Sequence, residues 1–374
     1  MDVRELTRQL VAIPSHEDER QAGDHIENWL RDQTDATVER DDHGNVVARR
    51  NTGADTSLAL VGHHDVVPPD DSQIADGEYI LDERDGRLYG RGSADMKGAV
   101  AAAMVAFRDA TALDCQLVFV SFVGEEQGGV GARAAIEAGF APDYAIVGEG
   151  STGYSAPGIS ASDASGGSSE RRSDGVTDVA VAHKGRRGST ITATGNAAHA
   201  SEVEAGENAI YRASDAIDIV RDIDVPTADV LGHDLSGSVA VTEIEGGSAW
   251  NVIPDACSVT VDERTVPGER ASLERVEEVT GVSWSVDQDL PPMACDDADF
   301  AALAVSAADD VQEGTPEQVI KPHATDAGWL AQAGTTCVVC GAAEPGEAHT
   351  AEESVSWDVV ERCERIYRAV AEQF

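Results

Sequence analysis

Two stretches, LALVGHHDVVP at residues 58–68 and YGRGSADMKG at residues 89–98, decide the fold and the chemistry of this chain. The apolar run Leu58–Val61 predicts a buried strand. That strand ends at His63 and Asp65, whose side chains project to the same side if the strand continues, because strand side chains have a period of two. A polar pair is therefore delivered at the end of a rigid element.

Asp95 is delivered in a similar way. It follows a glycine-rich turn and precedes the alanine-rich helical pattern of residues 96–109. The glycines around Asp95 leave room for an ion, so His63 and Asp95 together have what a metal site needs. His63 alone is more often a structural histidine with its hydrogen bonds satisfied. The metal interpretation therefore depends on what the rest of the chain supplies.

Further apolar strands also end in acidic residues. The strand predicted at residues 116–123 leads into Glu125 and Glu126, and the strand predicted at residues 144–147 ends at Glu149. Helical patterns lie between these strands, which predicts an α/β sheet with helices on both faces. In such sheets the chemistry collects outside the strand ends. The acidic residues are therefore expected to meet His63.

The composition is strongly acidic. Among 374 residues the chain has 69 acidic and 27 basic ones, a net charge of −42, and its only lysines are Lys97, Lys184 and Lys321. This charge argues against nucleic acid and anionic membranes as partners. Acidic residues in every segment, few lysines and few aromatics indicate a cytoplasm of high salt, where ions screen self-repulsion. The alternative is a locally acidic chain at ordinary salt.

The N-terminal sequence and the cysteines do not indicate a further function. The N-terminal sequence MDVRELTRQL has neither the basic start nor the apolar core of a signal peptide, and no stretch is long enough for a membrane span. Six cysteines in so long a chain do not indicate a disulfide framework. Cys337 and Cys340 form a C-x-x-C within TTCVVCGA, which is typical of a buried strand, so we expect no redox or zinc role there.

The sequence predicts two domains. Residues 151–178 are rich in glycine and serine, which predicts an exposed linker with a flexible loop at 157–176. Alternating strands and two helical patterns then predict a small α+β unit inserted in the larger domain. The predicted boundaries are 1–178 for the first part of the large domain, 179–290 for the insert and 291–374 for the second part of the large domain.

Five side chains are candidate metal ligands, of the kinds that zinc accepts. Two ions at four donors each need a shared carboxylate, with water or bidentate carboxylates completing the sets. Asp95 is the natural bridge between them. His63 and Glu149 complete one ion, and Glu126 and His349 complete the other. Zinc is expected, although these ligands also accept cobalt or manganese.

Two neighbouring carboxylates have supporting roles. Asp65 is placed to accept the other ring proton of His63 and to fix its tautomer. Glu125 adjoins a ligand without needing to bind metal, so it is a candidate general base that passes a proton from water to the leaving amine. In so acidic a chain, each of these carboxylates taken alone is equally well explained as a solvated surface residue. The Glu125–Glu126 pair is unusual because it ends an apolar strand.

Five motifs carry a family resemblance. They are GHHDVVP at 62–68, GRGSADMKG at 90–98, GEEQGG at 124–129, VGEG at 147–150 and AHTAEE at 348–353. In order and spacing they resemble the dinuclear zinc amidohydrolases, which include acetylornithine deacetylase, succinyl-diaminopimelate desuccinylase, aminoacylase and glutamate carboxypeptidase. The resemblance covers nearly the whole chain. It implies a mixed-sheet zinc-peptidase domain and an inserted ferredoxin-like lid or dimerisation domain.

The resemblance also implies roles for residues in the insert. His199, in GNAAHAS at 195–201, is similar to a histidine that reaches the partner subunit's site and stabilises the oxyanion. Asn251 and Arg264 are similar to positions that line the substrate. A homodimer through the insert is implied. In TDAG at 325–328, Gly328 stands where relatives often have an arginine, so the resemblance leaves the anchor of a substrate carboxylate unassigned.

The sequence therefore predicts a metal-dependent amidohydrolase that cleaves an N-acyl amino acid, with a favoured use in arginine or lysine biosynthesis. Carboxypeptidase or dipeptidase activity on small peptides is the alternative with the same chemistry. A third hypothesis is a non-catalytic protein that uses the same cleft to hold a ligand. Loss of Glu125 or of a metal ligand would mark that hypothesis, and all of these residues are present.

Overall fold

The structure is a computed structural model that describes residues 1–155 and 175–374. It divides into a large unit, formed by Met1–His183 with Met293–Phe374, and an insert, Lys184–Pro292. The loop predicted at 157–176 lies outside the described residues except for its last two positions.

The elements follow one another along the chain in three segments. The first segment of the large unit contains α1 Val3–Ala12, α2 Arg20–Gln33, β1 Thr37–Arg40, β2 Val46–Arg50, β3 Ser57–His63, β4 Ile74–Ala75, β5 Glu78–Tyr79, β6 Asp82–Arg84, β7 Arg87–Tyr89, α3 Gly98–Asp109, β8 Gln116–Phe122, α4 Val130–Glu137, β9 Tyr144–Val147 and β10 Val179–His183. The insert contains β11 Gly185–Thr194, β12 Ala198–His199, α5 Ala209–Arg221, β13 Thr227–Val230, β14 His233–Ser236, β15 Ser238–Gly246, β16 Val252–Ile253, β17 Ala256–Thr265 and β18 Val282–Leu290. The second segment of the large unit contains β19 Met293–Ala294, α6 Ala298–Asp309, β20 Gln318–Lys321, α7 Asp326–Gln332, β21 Thr336–Val339, β22 Ser354–Ser356 and α8 Trp357–Gln373.

The large unit is built on one mixed sheet. Its strand order is β1-β2-β8-β3-β9-β21-β10-β19, and β20 pairs with β10. The central neighbours β8, β3, β9 and β21 are parallel, whereas the pairings of β2 and β10 with the strands around them are mostly antiparallel. Every residue of β3 after Ser57 is buried, as expected for a strand covered on both faces. The predicted α/β class with a mixed sheet is confirmed.

Helices cover both faces of this sheet. On one face, Ala59 and Val61 of β3 belong to a buried apolar cluster that includes side chains of α4 and α7. On the other face, α3 packs on β3. A Cβ atom at Gly62 would stand 2.8 Å from Val100 in α3, so glycine is required there for the close approach of helix and strand.

The insert has its own antiparallel sheet and core. The strand order is β15-β17-β11-β18, and α5 connects β11 to β15, which is a ferredoxin-like arrangement. The second connection is the 3-10 segment Leu273–Glu278 and not the helix that the pattern predicts. It is only six residues long, and the Ser272 side chain makes no capping hydrogen bond, so α-helical hydrogen bonding is not nucleated.

The insert begins later than predicted. We expected it to start at residue 179, within one strand from Val179 to Thr194 that has a wet face. The structure has two strands there. β10 is buried at every residue and pairs with β19, β20 and β21 of the large sheet, whereas burial alternates along β11. A short strand buried on both faces reads as a continuous apolar run, and VAVA is such a run.

Across the part of the chain that the structure describes, no helix combines the length and the apolar character needed to cross a bilayer.

Candidate active site and metal centre

Four of the predicted site residues follow the ends of three adjacent parallel strands. β3 ends at His63, β8 leads into Glu125 and Glu126, and β9 leads into Glu149. Because β8, β3 and β9 run side by side in the same direction, their carboxyl ends meet at one edge of the sheet. The sequence patterns place the strand ends correctly, and the sheet order brings them together.

Asp95 enters this edge from the turn between β7 and α3. Gly92 in that turn has φ +80°, and a Cβ atom there would stand 2.5 Å from Val66 Cγ1. The glycine is therefore required by the backbone conformation and by packing. The peptide bond between Asp95 and Met96 is cis.

A first group of candidate ligands contains His63, Asp95 and Glu149. His63 Nε2 lies 3.1 Å from Asp95 Oδ1 and 3.4 Å from Glu149 Oε1. The three donor atoms lie within 4.8 Å of one another. His63 is 1% exposed, so its ring is fixed inside the protein. The group can supply one nitrogen and two oxygen donors to a single ion.

A second group contains Asp95, Glu126 and His349. His349 Nε2 lies 2.8 Å from Glu126 Oε1 and 3.1 Å from Asp95 Oδ2, and the three donors again fit within 4.8 Å. Asp95 therefore presents Oδ1 to the first group and Oδ2 to the second. This is the geometry that a bridging carboxylate needs.

Asp65 fixes both sides of the site. Its Oδ1 lies 3.3 Å from His63 Nδ1, on the opposite side of the ring from Asp95. Its carboxylate also accepts hydrogen bonds from the backbone N–H groups of Glu125, at 3.1 Å, and Glu126, at 3.0 Å. The sequence predicted the first contact but not the second. Asp65 thus orients the ring of His63 and the strand end that carries both glutamates.

Glu125 lies beside the candidate ligands. It can join a third group of donors with His63 and Glu126, again within 4.8 Å. Burial raises the pKa of Glu125 well above its usual value, and the negative charge of Asp326 raises it further. A carboxyl group with a raised pKa is a stronger proton acceptor than an ordinary one.

The charges of the site fit divalent cations. Burial lowers the pKa of His63, but hydrogen bonds with Asp65 and Asp95 outweigh it and raise this pKa well above its usual value. Hydrogen bonds with Asp95 and Glu126 raise the pKa of His349 to about 11. These two shifts have the same cause. Carboxylates surround both imidazole rings and stabilise their positively charged forms. Carboxylate oxygens and imidazole nitrogens are also the donors that zinc accepts.

A cavity of about 440 Å³ opens beside these groups in the large unit. It is large enough for a small ligand. Its lining includes one lysine, Lys321, and a set of carboxylates, namely Asp95, Glu125, Glu126, Glu149 and Glu344.

A buried ion pair that the sequence analysis missed supports Asp95. The carboxylate of Glu353 accepts hydrogen bonds from the backbone N–H groups of Ala94 and Asp95, both at 3.1 Å. Its other oxygen accepts a hydrogen bond from Arg91 at 2.6 Å, and Glu353 is 1% exposed. The two residues lie in quoted motifs, but their pairing across the chain has no local signal. Glu353 therefore fixes the backbone that carries Asp95.

We expect Glu353→Gln to weaken metal binding by about 10- to 100-fold, because it removes a charge that orients the bridging ligand from behind. Breaking the pair with Arg91 should also lower the free energy of unfolding by about 3 kcal/mol. Isothermal titration with zinc and thermal unfolding measure the two effects. The exposed neighbour Glu352, which pairs with Arg84 at the surface, provides the control variant Glu352→Gln. Equal metal affinity in both variants would contradict the positioning role.

Asp326 is a second residue whose position the sequence did not reveal. It is 3% exposed, and neither of its carboxylate oxygens has a hydrogen-bond partner among the described residues. Burial raises its pKa to about 8. It lies in the first turn of α7, within the TDAG motif in which Gly328 replaces the arginine of relatives.

The remaining predicted residues lie in the insert. His199 is exposed, and its Nδ1 lies 2.7 Å from Ser201 Oγ. The backbone carbonyl of Asn251 accepts a hydrogen bond from the N–H of Ala200 at 2.9 Å. Arg264 donates through Nε to Asp262 at 2.8 Å. Their roles toward a substrate stay predictions.

Comparisons with known proteins identify the family of this chain. Peptidase family M20/M25/M40 matches residues 59–373. The chain is 31% identical over 337 residues to an acetylornithine deacetylase from Myxococcus xanthus, and the alignment covers 84% of this chain and 80% of that protein. The aminopeptidase PepT from Bacillus cereus has a TM-score of 0.76 at 20% identity, covering 99% of this chain and 97% of that one. A dinuclear metal-binding peptidase from Bacillus subtilis has a TM-score of 0.68 at 16% identity, covering 99% and 97%.

The chain belongs to peptidase family M20/M25/M40. The predicted resemblance to dinuclear metal amidohydrolases is thereby confirmed at the level of the family, and the chain is a hydrolase that acts on amide bonds. The structural likenesses, at identities of 20% and 16%, add support for the fold alone.

Proposed function

We propose that this hydrolase cleaves the amide bond of an N-acyl amino acid, in the manner of acetylornithine deacetylase or succinyl-diaminopimelate desuccinylase. The observation that carries the proposal is the 31% identity to an acetylornithine deacetylase across 84% of the chain. Removal of an acyl group in arginine or lysine biosynthesis is the favoured use. Cleavage of dipeptides or of the C-terminal residue of small peptides is the alternative, because it breaks the same kind of bond.

In this proposal two divalent metal ions occupy the two ligand groups. His63 and Glu149 would hold one ion and Glu126 and His349 the other, and Asp95 belongs to both groups of candidate ligands. Zinc suits this donor set, and cobalt or manganese also accepts it. When bound, the two ions polarise the amide carbonyl and make the attacking water more acidic.

Glu125 is proposed to move the proton. Its carboxylate accepts a proton as water attacks the amide carbonyl, and it then donates that proton to the nitrogen of the leaving amine. The raised pKa of Glu125 favours the first step, because it makes the carboxylate a stronger acceptor of the proton. Asp65 keeps the backbone of Glu125 in place through its hydrogen bond to that N–H.

Three residues of the insert are assigned roles by the family resemblance. We propose that His199 stabilises the developing oxyanion in the site of a partner subunit, and that Asn251 and Arg264 orient the substrate. The exposure of His199 is compatible with reaching another chain.

A homodimer through the insert belongs to the same proposal. The insert exposes large apolar side chains, including Trp250 at 96% and Ile244 at 55%, and Ile244 lies on the edge strand β15. An exposed apolar side chain on an open edge strand is typical of a surface that pairs with another chain. Sedimentation velocity should give a dimer, and Ile244→Asp should shift it toward monomer. A monomeric wild-type protein would contradict this part of the proposal.

We propose that the chain works at high salt, because at a net charge of −42 its acidic side chains repel one another. The Debye length falls from about 10 Å at 0.1 M salt to about 3 Å at 1 M salt, so salt removes most of this repulsion. We expect the melting temperature to rise by about 10 °C or more between 0.1 M and 2 M KCl, equivalent to roughly 8 kcal/mol for a chain of this length. Differential scanning calorimetry checks this, and an unchanged or lower melting temperature would count against adaptation to salt.

A substrate panel tests the proposed reaction. The purified protein, supplied with zinc or cobalt in molar KCl, is offered N-acetylornithine, N-acetyl-lysine, N-succinyl-diaminopimelate, other N-acyl amino acids and dipeptides. The proposal predicts the highest kcat/KM for an N-acyl amino acid. A preference for dipeptides would select the peptidase alternative. No turnover of any compound by protein that has bound metal would contradict the proposal.

A further inference from the structure

The candidate active-site cavity has one strongly basic side chain. Lys321 is the only lysine or arginine among the residues that line it in the described part of the chain. It is also one of only three lysines in the whole sequence. The other charged groups of the lining are mainly carboxylates, so Lys321 is the place where this cavity can attract an anion.

Lys321 is held at the end of β20 and is 4% exposed. Its Nζ lies 3.8 Å from Glu149 Oε2 and 5.9 Å from the centre of the Tyr154 ring. A separation of 3.8 Å is an electrostatic contact and exceeds the length of a hydrogen bond. Glu149 therefore does not occupy the N–H donors of this ammonium group.

A buried cation needs a partner of opposite charge. Glu149 also has a second role, because its other oxygen, Oε1, faces His63 in a candidate metal group. Once Glu149 shares its negative charge with a metal ion, it neutralises the positive charge of Lys321 only in part. A negatively charged group of the substrate can then supply the rest.

We propose that Lys321 binds the α-carboxylate of the substrate and thereby selects substrates that carry this group next to the scissile amide. The inference rests on the proposed amidohydrolase function and specifies its substrate class. Because Lys321 contacts a candidate metal ligand, its anion must lie close to the reacting bond. The α-carboxylate, attached to the carbon that bears the amide nitrogen, meets this requirement. A carboxylate at the far end of an acyl group lies further away.

The other candidate anchors of a carboxylate leave this role to Lys321. Gly328, in the TDAG motif, has no side chain that could bind an anion. Arg264, the basic residue assigned to the substrate by resemblance, is engaged by Asp262. Lys321 is thus the basic residue that the large unit itself provides at the site. N-acyl amino acids and dipeptides both have the required carboxylate, whereas C-terminal amides and simple N-acyl amines do not.

The test compares matched substrates. For each N-acyl amino acid or dipeptide that wild-type protein cleaves, kcat/KM is measured beside that of its α-carboxamide, in molar KCl with zinc. N-acetylornithine and N-acetylornithinamide form one such pair. We expect wild-type protein to prefer the carboxylate by about 100-fold, the usual size of a charge-assisted contact in a partly buried site. Lys321→Met should reduce this preference to below about 5-fold, and Lys321→Arg should retain most of it.

Metal content and an N-succinyl amine, whose only carboxylate lies in the acyl group, complete the test. Equal preference in wild-type and Lys321→Met protein would overturn the inference while leaving the hydrolase function intact. So would a Lys321→Met protein that lost its metal, because Lys321 would then serve Glu149 alone. If wild-type protein had a higher kcat/KM for the N-succinyl amine than for the N-acyl amino acid, the bound carboxylate would lie on the acyl side. This result would overturn the inference as well. No amide hydrolysis by metal-loaded wild-type protein would remove the proposed function itself, and this inference with it.

Discussion

Replacing Glu125 by glutamine is expected to lower kcat by about 10³-fold while the protein keeps its full metal content. Glutamine has the same shape but can neither accept the proton of the attacking water nor donate it to the leaving amine. The backbone N–H of residue 125, which donates to Asp65, is unchanged, so the fold of the site should persist. Steady-state kinetics and metal analysis on the same preparation measure the two quantities.

Glu126→Gln provides the matched control for this prediction. Glu126 is the adjacent residue, shares the contact with Asp65, and lies 2.8 Å from His349 in the second ligand group. This variant should lose metal as well as turnover, and added metal should restore part of its activity. A Glu125→Gln enzyme that turns over normally would remove Glu125 from the role of base. Loss of metal in both variants would identify Glu125 as a metal ligand.

Asp95→Asn is expected to abolish turnover and to reduce bound metal from about two ions per chain to fewer than one. The Asp95 carboxylate presents one oxygen to His63 and the other to His349, at 3.1 Å in each case. An amide offers one oxygen and one N–H donor, so it cannot bridge two cations. The substitution therefore affects both ligand groups at once.

The control for Asp95→Asn is Asp85→Asn, at an exposed turn position with φ +52° that asparagine tolerates. It removes the same charge at an exposed position outside every group of candidate ligands, so it separates the bridge from the general effect of net charge. Metal analysis after dialysis should show no loss for Asp85→Asn. An Asp95→Asn protein that retained two ions per chain would exclude Asp95 as the bridge.

The strand ends were predictable because they depend on local patterns. β3, β8 and β9 are apolar runs, each followed by an acidic residue or histidine, and strand periodicity and length suffice to place His63, Glu125 and Glu149. That these ends are adjacent follows from the parallel sheet. His349 is different, because it sits in a loop at φ +62° and only its motif indicated a site.

The remainder of the site depends on contacts between distant parts of the chain. Glu353 pairs with Arg91, and Lys321 contacts Glu149, across separations that no local pattern reports. In so acidic a chain, Glu353 had no feature to distinguish it from its exposed neighbour Glu352. The start of the insert was misplaced for a related reason, since β10 and β11 follow each other almost without a break and differ only in which sheet buries them.

Metal reconstitution tests the central claim, a two-metal amidohydrolase site, most directly. The protein is stripped of metal with a chelator in molar KCl and titrated with zinc, while bound metal and hydrolysis of the best N-acyl amino acid are followed together. The site geometry predicts no turnover without metal, and turnover that returns as the bound metal approaches two ions per chain. Turnover that survives the chelator, or a protein that binds no zinc, would contradict the account.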